Sequence, residues 1–383
     1  MRKELVFVLL ALFLCAGCNG NKKKMNGEHD SEAVNITLDD HTISFYYNWY
    51  GNPLVDGEMK HWMHPIAPAP GHSGDAGAIS GLNDDIACNF YPELGTYSSN
   101  DPEIIQKHIR MHIKANVGVL SVTWWGGESD YGNQSVSLLL DEAAKVGAKV
   151  CFHIEPFNGR SPQTVRENIQ YIVDTYGDHP AFYRTQGKPL FFIYDSYLIK
   201  PAEWAKLFAA GGEISVRNTK YDGLFIGLTL KESELPDIET ACMDGFYTYF
   251  AATGFTNAST PANWKSMQQW AKAHHKLFIP SVGPGYIDTR IRPWNGSTTR
   301  DRENGKYYDD MYKAAIESGA SYISITSFNE WHEGTQIESA VSKKCDAFEY
   351  LDYKPLADDY YLIRTAYWVD EFRKARSASE DVQ

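Results

Sequence analysis

What most constrains this chain is how regularly short β-branched and aromatic runs alternate with amphipathic ones. The strand-like runs are Thr42–Trp49, Gly118–Trp125, Lys149–Phe157, Pro189–Asp195, Gly223–Leu230, Gly245–Phe250, Lys276–Val282 and Ser321–Phe328. Stretches with helical spacing lie near 102–115, 135–147, 162–176, 201–212, 233–240, 262–275 and 306–318, and a last one near 356–374. Consecutive strands that each need a helix to return run parallel, and eight of them close a barrel. An open doubly wound sheet is the competing arrangement, and it is weakened because no Gly-x-Gly-x-x-Gly turn follows the first run. The expectation is therefore an α/β chain with a single (β/α)8 TIM barrel over residues 39–375 and a polar tail at 376–383.

In this architecture chemistry sits at the C-terminal strand ends and in the loops that follow them. Two such loops are long: Gly51 to Asp101 after the first strand, rich in Pro, Gly and His, and Gly283 to Gly305 after the seventh, with Tyr286, Arg290, Arg292 and Trp294. Loops of that length in a compact domain usually serve as walls or lids.

Alternation within strands then sorts side chains, because neighbours point to opposite faces and the outer face must be apolar to receive helices. In the last strand Ile323 and Ile325 face out, which places Ser324, Thr326, Phe328 and, if the pattern continues, Glu330 inside. In the third, Cys151, His153 and Glu155 face in. In the second, Ser121, Thr123 and Trp125 do. In the first, Ser44, Tyr46 and Asn48 form the more polar and so the inner set. The fourth strand is ambiguous and Asp195 cannot be placed. Tyr46, Trp125, Glu155 and Glu330 thus converge from four strands, with Tyr249 from a fifth, and His153 sits one layer deeper.

Aromatics and carboxylates around one cavity suit a polyol. The chain has 10 Trp and 24 Tyr, residues that present a flat apolar face to hydroxylated ligands. A net charge of −13 argues against nucleic acid, whose binding needs basic groups to neutralise phosphates. Glu330 and Glu333 stand three apart, with Trp331 and His332 between them and Gly334 after. Two carboxyls held close push one pKa up, so that one is protonated while the other is ionised, the division of labour that glycosidic cleavage requires. No metal or cofactor is expected: His332-Glu333 lacks the second histidine of a zincin.

The first residues read as an address. Met1-Arg2-Lys3, an apolar run from Leu5 to Leu14 too short to span a bilayer, and Ala16-Gly17-Cys18 resemble a bacterial lipoprotein signal over 1–17, with Cys18 lipidated and 18–38 a flexible tether. That reading makes the protein an exported lipoprotein on the outer membrane, at the cell surface or the periplasmic face, held by its lipid alone. Of the six cysteines, Cys88, Cys151, Cys242 and Cys345 show neither metal spacing nor a disulfide framework.

Phe45-Tyr46-Tyr47-Asn48-Trp49-Tyr50, Ser121-Val122-Thr123-Trp124-Trp125, Phe152-His153-Ile154-Glu155-Pro156, Tyr247-Thr248-Tyr249-Phe250 and above all Ser327-Phe328-Asn329-Glu330-Trp331-His332-Glu333-Gly334-Thr335 resemble glycoside hydrolase family 99. This family comprises the endo-α-1,2-mannosidases and bacterial endo-α-1,2-mannanases, and the similarity spans residues 41 to 372. Trp125, where eukaryotic members carry tyrosine, and the lipoprotein signal favour the bacterial mannanases. The resemblance implies a retaining endo-hydrolase of mannose-containing glycans, expected here as a monomer, that works through a 1,2-anhydro sugar. Glu330 is then the base on the substrate's own 2-hydroxyl and Glu333 the acid on the leaving oxygen. Trp125 is implied to pack against C2 of the sugar, with Glu155, Tyr46, Tyr249, Tyr286, Asp195 and His153 as further substrate contacts. A retaining glycosidase with a carboxylate nucleophile, a non-catalytic surface glycan-binding lipoprotein and a metal-dependent barrel hydrolase are the alternatives.

Overall fold

A computed structural model describes residues 37–127 and 130–380; the expected signal, Cys18 and nearly all of the tether lie outside those residues. The barrel strands are β1 (Asp39–Tyr46), β2 (Val117–Trp124), β3 (Lys149–Ile154), β4 (Lys188–Ile193), β5 (Leu224–Leu228), β6 (Gly245–Tyr247), β7 (Leu277–Ile279 and Ser281–Val282, two halves about Pro280) and β8 (Ile323–Ile325). All neighbours are parallel, in the order β7-β6-β5-β4-β3-β2-β1-β8-β7. Closure runs through β7, whose first half pairs with β6 (Gly245↔Leu277, Tyr247↔Ile279) and second half with β8 (Ser281↔Ser324, Val282↔Ile325). The ring is a (β/α)8 barrel.

Helices α1 (Pro102–Lys114), α2 (Val136–Val146), α3 (Pro162–Tyr176), α4 (Pro201–Phe208), α5 (Leu235–Thr240), α6 (Trp264–Ala273), α7 (Lys306–Ser318) and α8 (Tyr360–Glu380) surround it. Their ends follow from local chemistry. The Asp101 carboxylate accepts the Glu103 amide ahead of Pro102, and Ser161 and Thr164 cap each other's backbone around Pro162. α8 runs on through Arg376, which pairs with Asp39 at 2.7 Å, so much of the segment expected as a polar tail belongs to the helical layer.

Alternation holds in β2 and β3. Trp124 and Phe152 pack outward against Tyr176 of α3, while His153 faces Phe45 and Tyr247 across the barrel. It fails in β1. Phe45 is the inward residue, 4.6 to 5.6 Å from the rings of His153, Phe192, Tyr247 and Tyr249. Ser44 and Tyr46 point out to α1, where their hydroxyls share hydrogen bonds of 2.9 Å with His112 and His108. The rule that the polar set faces in assumes an apolar helix layer, and α1 instead offers two buried histidines as partners. Phe328 follows Tyr46, stacking on it and meeting the His112 ring at a tilt outside the barrel. Regular pairing in β8 ends at Ile325, before the alternation could carry Phe328 inward.

The two long loops form one wall. Asp85 pairs with Arg290, Ala67 N donates to Ile291 O at 2.8 Å, and Trp294 Nε1 donates to Ala67 O at 3.1 Å. Ile66, Ile79, Ala87 and Ile291 form a small apolar cluster between them. Arg290 and Trp294 are thereby engaged in holding the wall together.

Candidate active site

The turn after β8 carries the two carboxylates and is fastened on every side. Asn329 replaces a strand partner for the end of β1: its side-chain oxygen accepts Tyr47 N at 2.7 Å and its amide donates to Tyr47 O at 2.8 Å. Glu330 N donates to Ser327 Oγ at 2.7 Å, and Ile287 N, from the β7 loop, donates to Glu333 O at 2.8 Å. That contact explains Gly334: its φ is +61°, and a Cβ there would lie 2.6 to 2.7 Å from Ile287 side-chain and backbone atoms.

Glu330 is 4% exposed. Its Oε1 accepts the His332 backbone N–H at 3.0 Å and lies 3.5 Å from His332 Nδ1. Burial, with His61 and His64 nearby, lowers the His332 imidazole to about 3, so the ring is neutral and supplies no counter-charge. Its Nε2 bonds the His61 carbonyl, which makes Nε2 the donor and leaves Nδ1 without a proton to offer Glu330. Burial first, then the charge of Glu333, accordingly hold the Glu330 carboxyl well above the usual carboxylate range.

Glu333 has a side chain 23% exposed, with Arg292 Nη1 3.6 Å from its Oε1. Burial pushes it up to about 7. Arg292 opposes that rise, and the charges of Asp288 and Glu155 add to it. Asp288, fully buried, aims Arg292 by accepting its Nη1 at 2.9 Å, and it also takes Tyr286 O–H and Asn295 Nδ2 at 2.9 Å. Two carboxyls whose charges oppose each other hold one proton between them near neutral pH.

The rest of the pocket mouth is aromatic. Tyr249, with a left-handed φ of +50°, hydrogen-bonds Tyr47 through their hydroxyls, and Tyr194 meets Tyr249 edge-on at 4.7 Å. Trp125 faces Trp49 at 6.1 Å, and Trp49 stacks on His61 at 4.6 Å. Glu155 lies 3.2 Å from His153 Nδ1, whose Nε2 bonds Tyr247 O–H at 2.7 Å. His153 is fully buried beneath the rim, bonded to Tyr247 and close to Glu155 without a hydrogen bond between them. Asp195 sits at the rim, bonded by Tyr197 O–H at 2.8 Å, its carboxyl raised by burial and partly restored by Tyr197, Arg160 and His153.

Of the residues expected from sequence, Glu330, Glu333, Trp125, Glu155, Tyr249 and Tyr286 gather at this mouth, with His153 below and Asp195 at its edge. Tyr46 does not belong to it, since its hydroxyl bonds His108 on the outer side. Tyr47 takes its place. Tyr47 and Tyr194 were missed; the run Ile43, Phe45, Tyr47 has the alternation to mark Tyr47, but its apolar start disguised it.

Comparison with known proteins agrees with this geometry. The description "Glycosyl hydrolase family 99" matches residues 37–374. Mouse glycoprotein endo-alpha-1,2-mannosidase is 48% identical over 347 residues, covering 87% of this chain and 75% of its own. The human glycoprotein endo-alpha-1,2-mannosidase-like protein is 47% identical over 346 residues, covering 87% and 76%. The solved structure of the GH99 endo-alpha-mannosidase from Bacteroides thetaiotaomicron superposes with a TM-score of 0.88 at 98% identity, covering 89% of this chain and 99% of that one. With the barrel, the paired carboxylates and these matches together, the chain belongs to glycosyl hydrolase family 99 and is a glycosidase.

Proposed function

We propose that the protein is a retaining endo-α-1,2-mannosidase that cleaves internal α-1,2 linkages of mannan side chains or related glycans with help from the substrate's own 2-hydroxyl. The observation that carries this reading is the asymmetry of the carboxylate pair in a chain so similar to proteins named endo-alpha-1,2-mannosidase: Glu330 buried, Glu333 toward the loop beside Arg292.

Glu330 accepts the His332 backbone N–H and, among the described residues, has no lysine or arginine within ion-pair distance. A carboxylate so poorly solvated is a strong base, and the donor it lacks is what a mannose 2-hydroxyl supplies. Hydrogen bonding to that hydroxyl favours the ionised form of Glu330 and moves the shared proton to Glu333. Glu330 then takes the 2-hydroxyl proton while O2 attacks C1. The bond from C1 to the leaving oxygen breaks, and that oxygen receives the Glu333 proton. In the second step Glu333 removes a proton from water, the water oxygen attacks C1, and the anhydro ring opens as O2 recovers its proton from Glu330. Two inversions leave configuration retained. The acid that must later admit water is the more exposed carboxylate, as this sequence of events requires. Tyr47, Tyr249, Glu155 and Trp125 hold the sugar.

Digestion of α-1,2-branched mannan with product analysis tests the reading. Oligosaccharides of defined length with retained anomeric configuration are the expected products, and release of mannose alone or trapping of a glycosyl ester on either glutamate would sink it. The N-terminal address is proposed to place the enzyme on a membrane through lipid at Cys18. Cys18→Ser moving the protein into the soluble fraction checks that, and an unchanged membrane fraction counts against it.

A further inference from the structure

We infer that Glu338, a buried carboxylate that touches neither catalytic glutamate, is a positioning residue that sets the geometry of both through Trp331. The inference concerns the chemistry proposed above and rests on that reading for its substrate.

Trp331 stands between the two catalytic carboxylates in the chain and is itself fully buried. Its indole N–H donates to Glu338 Oε2 at 3.0 Å and lies 3.2 Å from Tyr97 Oη, while its backbone N–H donates to Tyr50 Oη at 3.1 Å. Tyr97 O–H donates to the same Glu338 oxygen at 2.9 Å. On the other side, Glu338 Oε1 lies 3.3 Å from His108 Nε2, with both side chains fully buried. Glu338 Oε2 thus accepts from both Trp331 and Tyr97, while Oε1 and His108 Nε2 approach each other without hydrogen-bond geometry.

Nothing in glycosidic chemistry needs a further buried acid on the far side of the turn from the pocket. Pinning Trp331 to Glu338 adds a side-chain tether to the bonds from Ser327 and Ile287 that fasten the run from Glu330 to Glu333. Small displacements of catalytic groups are expensive; a shift of roughly 1 Å costs on the order of a hundredfold in rate. An ion-strength acceptor holds a donor more tightly than a neutral one, which gives a reason for glutamate here and not glutamine.

The test is a double-mutant cycle of Glu338→Gln and Trp331→Phe, read on an α-1,2-linked manno-oligosaccharide with thermal melting as the folding control. Glu338→Gln keeps the shape of the side chain and replaces the charged acceptor of the Trp331 and Tyr97 protons with a neutral one. Trp331→Phe keeps the ring and removes only the anchored N–H. Each is expected to lower kcat about tenfold with KM within about twofold, and the double variant to be no slower than the slower single, because both break one link. Losses that multiply, a change confined to KM, or folded variants with kcat within twofold of the parent would overturn the inference. If Glu338→Gln fails to fold, Trp331→Phe alone decides it by the same kcat criterion. A parent that leaves α-1,2-mannosides intact refutes the substrate reading instead, and the cycle is then read on the α-mannoside that it does cleave.

Discussion

Glu330 and Glu333 are three residues apart in one turn, yet they live in different surroundings. The Glu330 side chain is 5% exposed, accepts the His332 backbone N–H and is flanked by a histidine that burial keeps neutral. The Glu333 side chain is 23% exposed, lies 3.6 Å from an arginine, and is fixed through its carbonyl by the neighbouring loop. Two similar carboxyls thus differ in depth and counter-charge, a difference that suits the base and acid roles proposed for them. A group that must deprotonate a weakly acidic hydroxyl benefits from poor solvation, whereas one that exchanges protons with an oxygen and then with water needs a path to solvent.

The strongest test of this difference is loss of each carboxylate in turn. Glu330→Gln and Glu333→Gln are each expected to lower kcat on an unactivated mannoside by roughly a thousandfold or more. A nitrophenolate leaving group needs no proton, so the first turnover of Glu333→Gln should recover on such a substrate while Glu330→Gln should not. Equal recovery in a stopped-flow burst would erase the distinction between the two.

Arg292 gives the next largest effect. Burial raises Glu333 to about 7 against the pull of Arg292. Removing that cation in Arg292→Gln sends the Glu333 pKa higher, so the acid keeps its proton further into the alkaline range. The basic limb of kcat/KM should move to higher pH, and a limb that moves down or stays would assign it to another group.

The contrast between the two carboxylates was only half legible in the sequence, and the reason is geometric. β3 declares itself because Phe152 and Ile154 pack on helices while His153 and Glu155 cannot. β1 misleads because Ser44 and Tyr46 find His112 and His108 on α1, so polarity there marks the outer face. Glu333, Arg292 and Asp288 lie in loops, where period-two alternation says nothing and position is set by long-range bonds such as Ile287 to Glu333. The motif Asn329-Glu330-Trp331-His332-Glu333 marked the two carboxylates, but the isolation of Glu330 and the arginine beside Glu333 depend on the loop after β7.

Stability carries a smaller signature of the same asymmetry. Glu333 is raised from an ordinary 4.5 to about 7 in the folded chain. A carboxyl with a raised folded pKa favours folding when protonated, so its contribution is present below pH 4.5 and is lost as pH rises through 7. Glu333→Gln removes that loss. Its melting temperature should exceed the parent's by roughly 3 °C at pH 8 and match it near pH 4. An advantage that is independent of pH would trace to packing instead.

The smallest expected effect separates adjacent tyrosines on opposite faces of β1. Tyr47 reaches the pocket and bonds Tyr249, whereas Tyr46 bonds His108 under α1. Tyr46→Phe removes one buried hydrogen bond and should cost about 1 kcal/mol of stability, while KM and kcat stay within about twofold. Tyr47→Phe frees the Tyr249 hydroxyl inside the site and should raise KM by about tenfold, since a buried polar partner left unpaired costs on the order of 1–3 kcal/mol. Should Tyr46→Phe raise KM as much as Tyr47→Phe, the inward and outward faces of β1 would have to be exchanged, and with them the placement of Phe328. The reading of Glu330 would survive that exchange, because its position rests on Ser327 and His332 and not on the parity of the strand.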